Sequence, residues 1–139
     1  MPVFRFRADR PFALSAPHAS FELHHHVVFA TRRRMGIFGS ALGKALIAYW
    51  IRVADKHGFA IDRCTVVPDH VHLLVRTTPK LSVEECALSL LNNGQHFVGR
   101  HAPELLVQAG IEQLWQSSAY AGTCGELSTA LMKSFLRKP

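Results

Sequence analysis

The sequence predicts an α+β domain built around an antiparallel four-stranded sheet, and three observations lead to this fold class. Runs rich in β-branched residues alternate along the chain with segments of amphipathic helical spacing. Two of the runs, residues 61–67 and 70–75, are separated only by Pro68-Asp69, a connection short enough for a β-hairpin. The resulting order, β-α-β-β-α-β-α, is that of a split βαβ unit with an extra C-terminal helix.

A proline-containing leader, residues 1–20, precedes the first predicted strand at residues 21–30. Phe4, Phe6 and Phe12 indicate that the leader packs on the core. No repeat, low-complexity tract or domain boundary interrupts the chain, so all 139 residues are expected to form a single domain.

Two helices follow from capping signals and periodicity. Ser40 is the expected N-cap of the first helix, and Gly58 its C-terminal stop. The apolar residues of this helix recur at helical spacing: Leu42, Ala45, Leu46, Tyr49, Trp50 and Val53. Ser82 is expected to cap the second helix, which extends to about His101 with a weak point at residues 92–94.

The last part of the chain completes the plan. A fourth strand is expected at residues 114–124, ended by Gly125, and a final helix at residues 127–136. The whole order predicts a ferredoxin-like sheet with helices on one face and an additional C-terminal helix.

Composition limits the classes of protein. With 48% hydrophobic and 19% charged residues, the chain has the profile of a folded soluble domain. Its net charge of +6 favours a polyanionic partner, nucleic acid first and an anionic membrane surface second. The alternative is a basic soluble protein without such a partner, which charge alone does not exclude. No apolar run approaches the ~20 residues of a membrane span. No secretion signal is apparent. Three cysteines without a CxxC pair fit reduced thiols, so we expect a cytoplasmic location.

His70 and His72 are candidate metal ligands. Residues two apart on a strand point to the same side, so both imidazoles project from one sheet face. Such a pair can bind one divalent metal ion. The alternative is a pair of half-buried histidines near a strand start whose hydrogen bonds are satisfied within the protein. The turn at Pro68-Asp69 favours the metal site, because it places the pair at a sheet end that can open to solvent.

Three segments carry a resemblance to a known family. Residues 68–74 (PDHVHLL) resemble the histidine-hydrophobic-histidine (HUH) motif of the single-tyrosine transposases of the smallest bacterial insertion sequences, the IS200-like transposases. Their repeat-associated, domesticated relatives share this motif. Residues 26–34 resemble the first strand and basic loop of the family, and residues 114–120 resemble the leucine-tryptophan start of its last strand. The likeness extends over about residues 23–138.

The resemblance implies a chemistry and its partners. Family members act on single-stranded DNA with hairpins, and a Mg²⁺ or Mn²⁺ ion held by the two histidines polarises the scissile phosphate. A tyrosine on the last helix attacks the phosphorus and forms a 5′-phosphotyrosine. A glutamine at i+4 completes the metal ligands, and homodimers complete each site in trans.

This sequence departs from the family at the nucleophile. When residues 133–139 are laid on the family's last helix, Phe135 falls at the tyrosine position and Pro139 at the glutamine position. Phenylalanine has no oxygen to attack phosphorus, so strand transfer is expected to be impaired and metal binding weak. Two origins would explain Phe135: a natural copy that has decayed or been repurposed, and a deliberate replacement of the tyrosine. The missing glutamine favours natural loss.

Other residues have open interpretations. Arg32, Arg33 and Arg34 are the expected phosphate contacts, although a solvated charged turn is the alternative. His24 or His26 could supply a third metal ligand or contact DNA.

The two tyrosines, Tyr49 and Tyr120, are expected to pack rather than to act as nucleophiles. Three functions therefore compete: an impaired DNA-binding transposase, a phosphodiesterase or nucleotide hydrolase that activates water at the metal, and a non-catalytic remnant that binds DNA or retains only the fold.

Overall fold

The computed structural model describes residues 3–8, 14–16, 19–21 and 23–123. The elements are, in chain order, β1 (Phe4–Arg7), β2 (Leu14–Ala16), β3 (Ala19–Phe21), β4 (Leu23–Ala30), α1 (Ser40–His57), β5 (Ala60–Val67), β6 (His70–Thr77), α2 (Val83–His101), α3 (Pro103–Ala109) and β7 (Tyr120–Thr123). A 3₁₀ turn, Arg32–Arg34, lies between β4 and α1. Within the described ranges, no helix has both the length and the hydrophobicity that crossing a bilayer requires.

The main sheet has five antiparallel strands in the order β1-β5-β6-β4-β7. Strands β5-β6-β4-β7, connected through α1 and α2, form the predicted ferredoxin-like arrangement, so the predicted α+β class is confirmed. Strands β2 and β3 pair separately, and Phe21 belongs to β3. The strand predicted at residues 21–30 therefore begins at Leu23, as β4.

The fifth strand, β1, comes from the leader. It pairs along β5 from Phe4 opposite Val66 to Arg7 opposite Arg63. Its alternating Phe-Arg-Phe-Arg sequence packs Phe4 and Phe6 against the core and exposes the arginines. The leader thus covers a sheet edge that the predicted four-stranded sheet would leave open. Phe12 lies outside the described residues.

The helix ends follow the capping signals closely. The backbone of Gly39, rather than the side chain of Ser40, forms the N-cap of α1, which corrects the predicted cap by one residue. Gly58 ends α1 as predicted, with a left-handed φ of 85° that glycine adopts without strain. Ser82 caps α2 as predicted, because its Oγ accepts a hydrogen bond of 3.1 Å from the backbone N–H of Glu85.

Helix α2 is continuous through the expected weak point at residues 92–94. A Cβ atom on Gly94 would lie 3.2 Å from ring carbons of both Trp50 and Trp115, so glycine permits a close approach of the helix to the two indoles. The Trp115 indole N–H donates to the carbonyl of Leu91 at 3.1 Å. Gly94 therefore serves packing and does not break the helix.

The last described strand is shorter than predicted. Leu114 and Trp115 are buried in the core, and only an isolated bridge between Thr31 and Trp115 joins this segment to the end of β4. The ladder begins at Tyr120, and the unpredicted helix α3 begins at Pro103. The predicted helix at residues 127–136 lies outside the described residues.

Helices α1 and α2 pack on one face of the main sheet, where the apolar core forms. The core joins side chains of both helices to alternate residues of the central strands: Val27, Phe29, Leu46, Trp50, Val71, Leu73, Leu90 and Val98. The opposite sheet face carries His26 on β4 and His70 and His72 on β6, and is called the histidine face below.

Candidate metal and nucleic-acid site

His70 and His72 project from the histidine face of β6, the central strand of the sheet. His72 lies between Val28 of β4 and Thr65 of β5 in the strand register. The two imidazole centroids are 4.8 Å apart, and the ring planes are inclined by 65°. The predicted side-by-side placement of the two rings is therefore present, and the rings are close enough to share one ion.

The Asp69 carboxylate orients His70. Nδ1 of His70 lies 2.8 Å from Oδ1 of Asp69, while Nη2 of Arg34 lies 3.0 Å from Oδ2. Burial alone would raise the pKa of Asp69, but the hydrogen bond with His70 and the charge of Arg34 outweigh it and lower the pKa below 3.8. The ionised carboxylate favours a proton on Nδ1 of His70, which leaves the Nε2 lone pair available for a metal.

His72 is neutral at neutral pH. Burial first, and then the charges of His70 and His26, lower the pKa of His72 from 6.5 to about 4. Neutral imidazole is the form that binds metals. The chemistry of both histidines therefore fits a divalent ion.

The number of ligands is small in the described part of the chain. No group of three or more His, Cys, Asp or Glu side chains there could hold a metal. Firm protein metal sites usually have at least three protein ligands. An ion held by His70 and His72 alone would be weakly bound.

The arginine turn, Arg32–Arg34, is attached to the histidine site by its neighbour Thr31. The backbone N–H of Thr31 donates to the carbonyl of Asp69 at 3.0 Å, and its hydroxyl donates to the carbonyl of Met35 at 2.7 Å. Arg33 and Arg34 have left-handed φ values of 56° and 55°, which are unfavourable for residues with a Cβ. The fold maintains this strained turn beside the β5–β6 hairpin, and strained backbone is often found at functional sites.

The three arginines do not act as one patch. Arg34 is bound to Asp69, whereas Arg32 and Arg33 line a separate depression with residues 110–113. Arg34 therefore belongs to the histidine site, and the phosphate contact expected of Arg32 and Arg33 stays a prediction.

The remaining histidines of β4 have different surroundings. His24 lies 3.7 Å from a carboxylate oxygen of Asp62, at the far end of the sheet from His70. His26 is near enough to His72 for its charge to lower the His72 pKa. Neither forms a three-ligand metal group with His70 and His72 among the described residues.

The two tyrosines lie in different parts of the structure. The Tyr49 hydroxyl donates to Oδ1 of Asn93 at 3.0 Å, and its ring stacks on Phe97, between helices α1 and α2. Tyr120 stands opposite Val28, on the histidine face, two strands from His72. Phe135 and Pro139 lie outside the described residues.

The orienting roles of Asp69 and Arg34 were missed in the sequence. There, Asp69 is only a turn residue and Arg34 only a candidate phosphate contact. An acid directly before the HUH motif was the available signal, because histidine ligands commonly donate their second N–H to a carboxylate. The partner of that acid could not be found locally, since Arg34 is 35 residues away.

Comparisons with known proteins show what this chain is similar to. A family model described as transposase IS200 like matches residues 19–138. The ISDra2 transposase TnpA of Deinococcus radiodurans is 22% identical over 116 residues, which are 84% of this chain and 83% of that protein.

Two solved structures share the fold. A crystal structure of a protein described as a transposase from Deinococcus radiodurans R1 has a TM-score of 0.79 at 21% identity, and the match covers 88% of this chain and 94% of that one. A REP-associated tyrosine transposase bound to a REP hairpin has a TM-score of 0.52 at 12% identity, with 92% and 68% covered. Since the family model matches most of the sequence, the chain belongs to the IS200-like transposase family.

Proposed function

We propose that this protein acts in DNA transposition by binding single-stranded DNA that carries hairpins at the histidine face. The main support is the HUH pair itself, with His70 oriented by Asp69 and both imidazoles on one sheet face. The net charge of +6 suits a polyanion, and a REP-associated relative of the same fold was solved with a REP hairpin.

We further propose Mg²⁺ or Mn²⁺ as a weakly bound cofactor, in agreement with a family that is generally metal-dependent. His70 and His72 would hold the ion, which when bound supplies charge that polarises a scissile phosphate. Asp69 keeps the proton on Nδ1 of His70, and Arg34 balances the carboxylate charge. Arg32 and Arg33 would contact phosphates beside the site.

Strand cleavage is proposed to be impaired, because the resemblance to the family's last helix puts Phe135 in place of the tyrosine nucleophile. A homodimer is also proposed. The described residues supply two metal ligands, so a complete site needs a contribution from elsewhere, such as the partner's last helix. Light scattering at micromolar concentration should give the dimer mass; a monomer would contradict the proposal.

A binding experiment tests the DNA partner. Fluorescence anisotropy should give tighter binding to a hairpin with a single-stranded flank than to a fully paired duplex of the same length. Replacing Arg32 and Arg33 by glutamine should weaken binding and flatten its salt dependence, by about 0.7 in log-log slope for each phosphate that is no longer neutralised. Equal affinity for hairpin and duplex would exclude the proposed specificity.

A second experiment tests the chemistry. With end-labelled hairpin DNA and Mn²⁺, the wild-type chain should give no protein-linked band on a denaturing gel, and Phe135→Tyr should give one. His70→Ala in the Phe135→Tyr background should abolish it. Cleavage by the wild-type chain without a covalent band would instead support a metal-dependent phosphodiesterase.

A further inference from the structure

The leader strand β1 carries a second basic surface, which is separate from the arginine turn. Arg5 and Arg7 of β1 and Arg63 of β5 are exposed, and they line a shallow depression of about 310 Å³ together with Thr65. These three arginine side chains are called the arginine strip. The family match begins at residue 19, so β1 lies outside it.

We propose that the arginine strip is a phosphate-binding track for the single-stranded flank of the DNA, leading across the sheet to the histidine pair. The inference rests on the proposed function, because it concerns the DNA that the histidine face would receive. It adds a subsite on a strand that the family match does not include.

The strand register supports the direction of the track. Arg5 stands opposite Thr65, and Thr65 stands opposite His72, so the three lie in one row across β1, β5 and β6. Residues directly opposite in antiparallel strands point to the same face, which places Arg5 on the histidine face. With strands about 4.8 Å apart, the backbones of Arg5 and His72 are separated by about 10 Å.

The charges of the strip are unfavourable for the isolated fold. Arg7 stands directly opposite Arg63, and like charges in such cross-strand pairs are destabilising. Within the described ranges, none of the ion pairs involves an arginine of the strip. A phosphate backbone would relieve this repulsion, since arginine forms paired hydrogen bonds with phosphate oxygens.

A matched pair of variants tests the track. Arg5→Gln/Arg7→Gln/Arg63→Gln removes the strip, and Arg52→Gln/Lys56→Gln/Arg100→Gln removes three exposed charges from helices α1 and α2. Both triple variants lower the net charge from +6 to +3, so they differ only in the place from which charge is removed. Binding is measured by anisotropy over a range of salt, on hairpins with and without a single-stranded flank.

The strip variant should bind the flanked hairpin about tenfold more weakly, with a log-log salt slope smaller by about 2. The variant with three charges removed from helices α1 and α2 should have a log-log salt slope within about 0.7 of the wild-type slope. For the hairpin without a flank, the two variants should be equal. Replacing the three arginines by lysine should restore most of the slope, because lysine also binds phosphate as a point charge.

A measurement on the wild-type chain covers the case in which the strip variant does not fold. Phenylglyoxal modifies accessible arginines, and mass spectrometry locates the modified positions. The flanked hairpin should protect Arg5, Arg7 and Arg63, whereas the hairpin without a flank should not.

Two results would overturn the track but not the proposed function. In the first, the wild-type chain binds hairpins and the two triple variants weaken that binding equally. In the second, the flank does not change the modification of the three arginines. In either case the arginines only protect a sheet edge from pairing with other chains. Failure of the wild-type chain to bind any hairpin would overturn the proposed function itself.

Discussion

Two Arg-Asp-His groups lie at opposite ends of the β5–β6 hairpin, and they differ in burial. At the turn, Asp69 contacts Arg34 and His70; this is the site group. The Arg34 and Asp69 side chains are 24% and 30% exposed. Water can therefore screen this ion pair, so its expected contribution to folding is small.

The buried group lies at the far end of the hairpin. Nε of Arg76 is 2.7 Å from Oδ2 of Asp62, and the two side chains are only 3% and 6% exposed. Asp62 sits where the β5–β6 register shifts, between Ile61 and Arg63, and His24 of β4 approaches the same carboxylate. The Arg76 and Asp62 charges have each lost most of their water and depend on one another.

The difference shows that the same three residue types serve different ends according to their access to water. In the site group, the carboxylate orients an imidazole for ligand binding. In the buried group, the carboxylate compensates a charge that the fold has enclosed. Four predictions separate the two roles, from the largest expected effect to the smallest.

Asp62→Ala should lower the free energy of unfolding by about 3–5 kcal/mol, because it removes the buried carboxylate that the Arg76 guanidinium contacts. Urea unfolding followed by circular dichroism measures the change. Asp55→Ala, an exposed aspartate on α1, is the control and should change stability by less than about 0.5 kcal/mol. A decrease below about 1 kcal/mol for Asp62→Ala would remove the distinction between the groups.

Asp69→Ala should lower the affinity for Mn²⁺ by about 10- to 100-fold, since it removes the carboxylate that orients a ligand. Electron paramagnetic resonance of free Mn²⁺ during titration gives the affinity. Arg34→Gln leaves the carboxylate in place and should have a smaller effect. Unchanged affinity after Asp69→Ala would mean that His70 is not a metal ligand.

The stability contributed by Asp69 should depend on pH in a defined direction. Its pKa is lowered in the folded protein, so the ionised form stabilises the fold above the ordinary value of 3.8, and this contribution disappears as the pH falls through the lowered pKa. Asp69→Asn should therefore be less stable than wild type by under about 1 kcal/mol at neutral pH, and equally stable in acid. Urea unfolding at both pH values checks this; a difference that grows in acid would contradict it.

The smallest effect should be the coupling between Arg34 and Asp69. A double-mutant cycle of Arg34→Gln and Asp69→Asn should give about 0.2–1 kcal/mol, and added salt should reduce it. The corresponding cycle of Arg76→Gln and Asp62→Asn should give a larger coupling that salt hardly changes. Similar salt dependence in both cycles would show that burial does not distinguish the groups.

Local patterns predicted much of the fold. The alternation at Val71, His72 and Leu73 placed both histidines on one face, and Gly58 and Ser82 marked helix ends that the structure confirms. These features depend on residues within a few positions of each other, so periodicity and capping suffice to find them.

Other features depend on distant partners. The pairing of β1 with β5 brings together residues about 60 positions apart, and the strand expected to begin at Leu114 starts later because Leu114 and Trp115 enter the core. Helix α3, which begins at Pro103, was not anticipated either.

By itself, the sequence determined the central hairpin, its paired histidines and the family resemblance, because all three reside in short runs of residues. Only the tertiary structure decided that Asp69 orients His70 with Arg34 behind it, and that the arginines of β1 share a sheet face with the histidine pair. The physical reason is that hydrogen bonds and charges act through space over a few ångströms, whatever number of residues separates the partners along the chain.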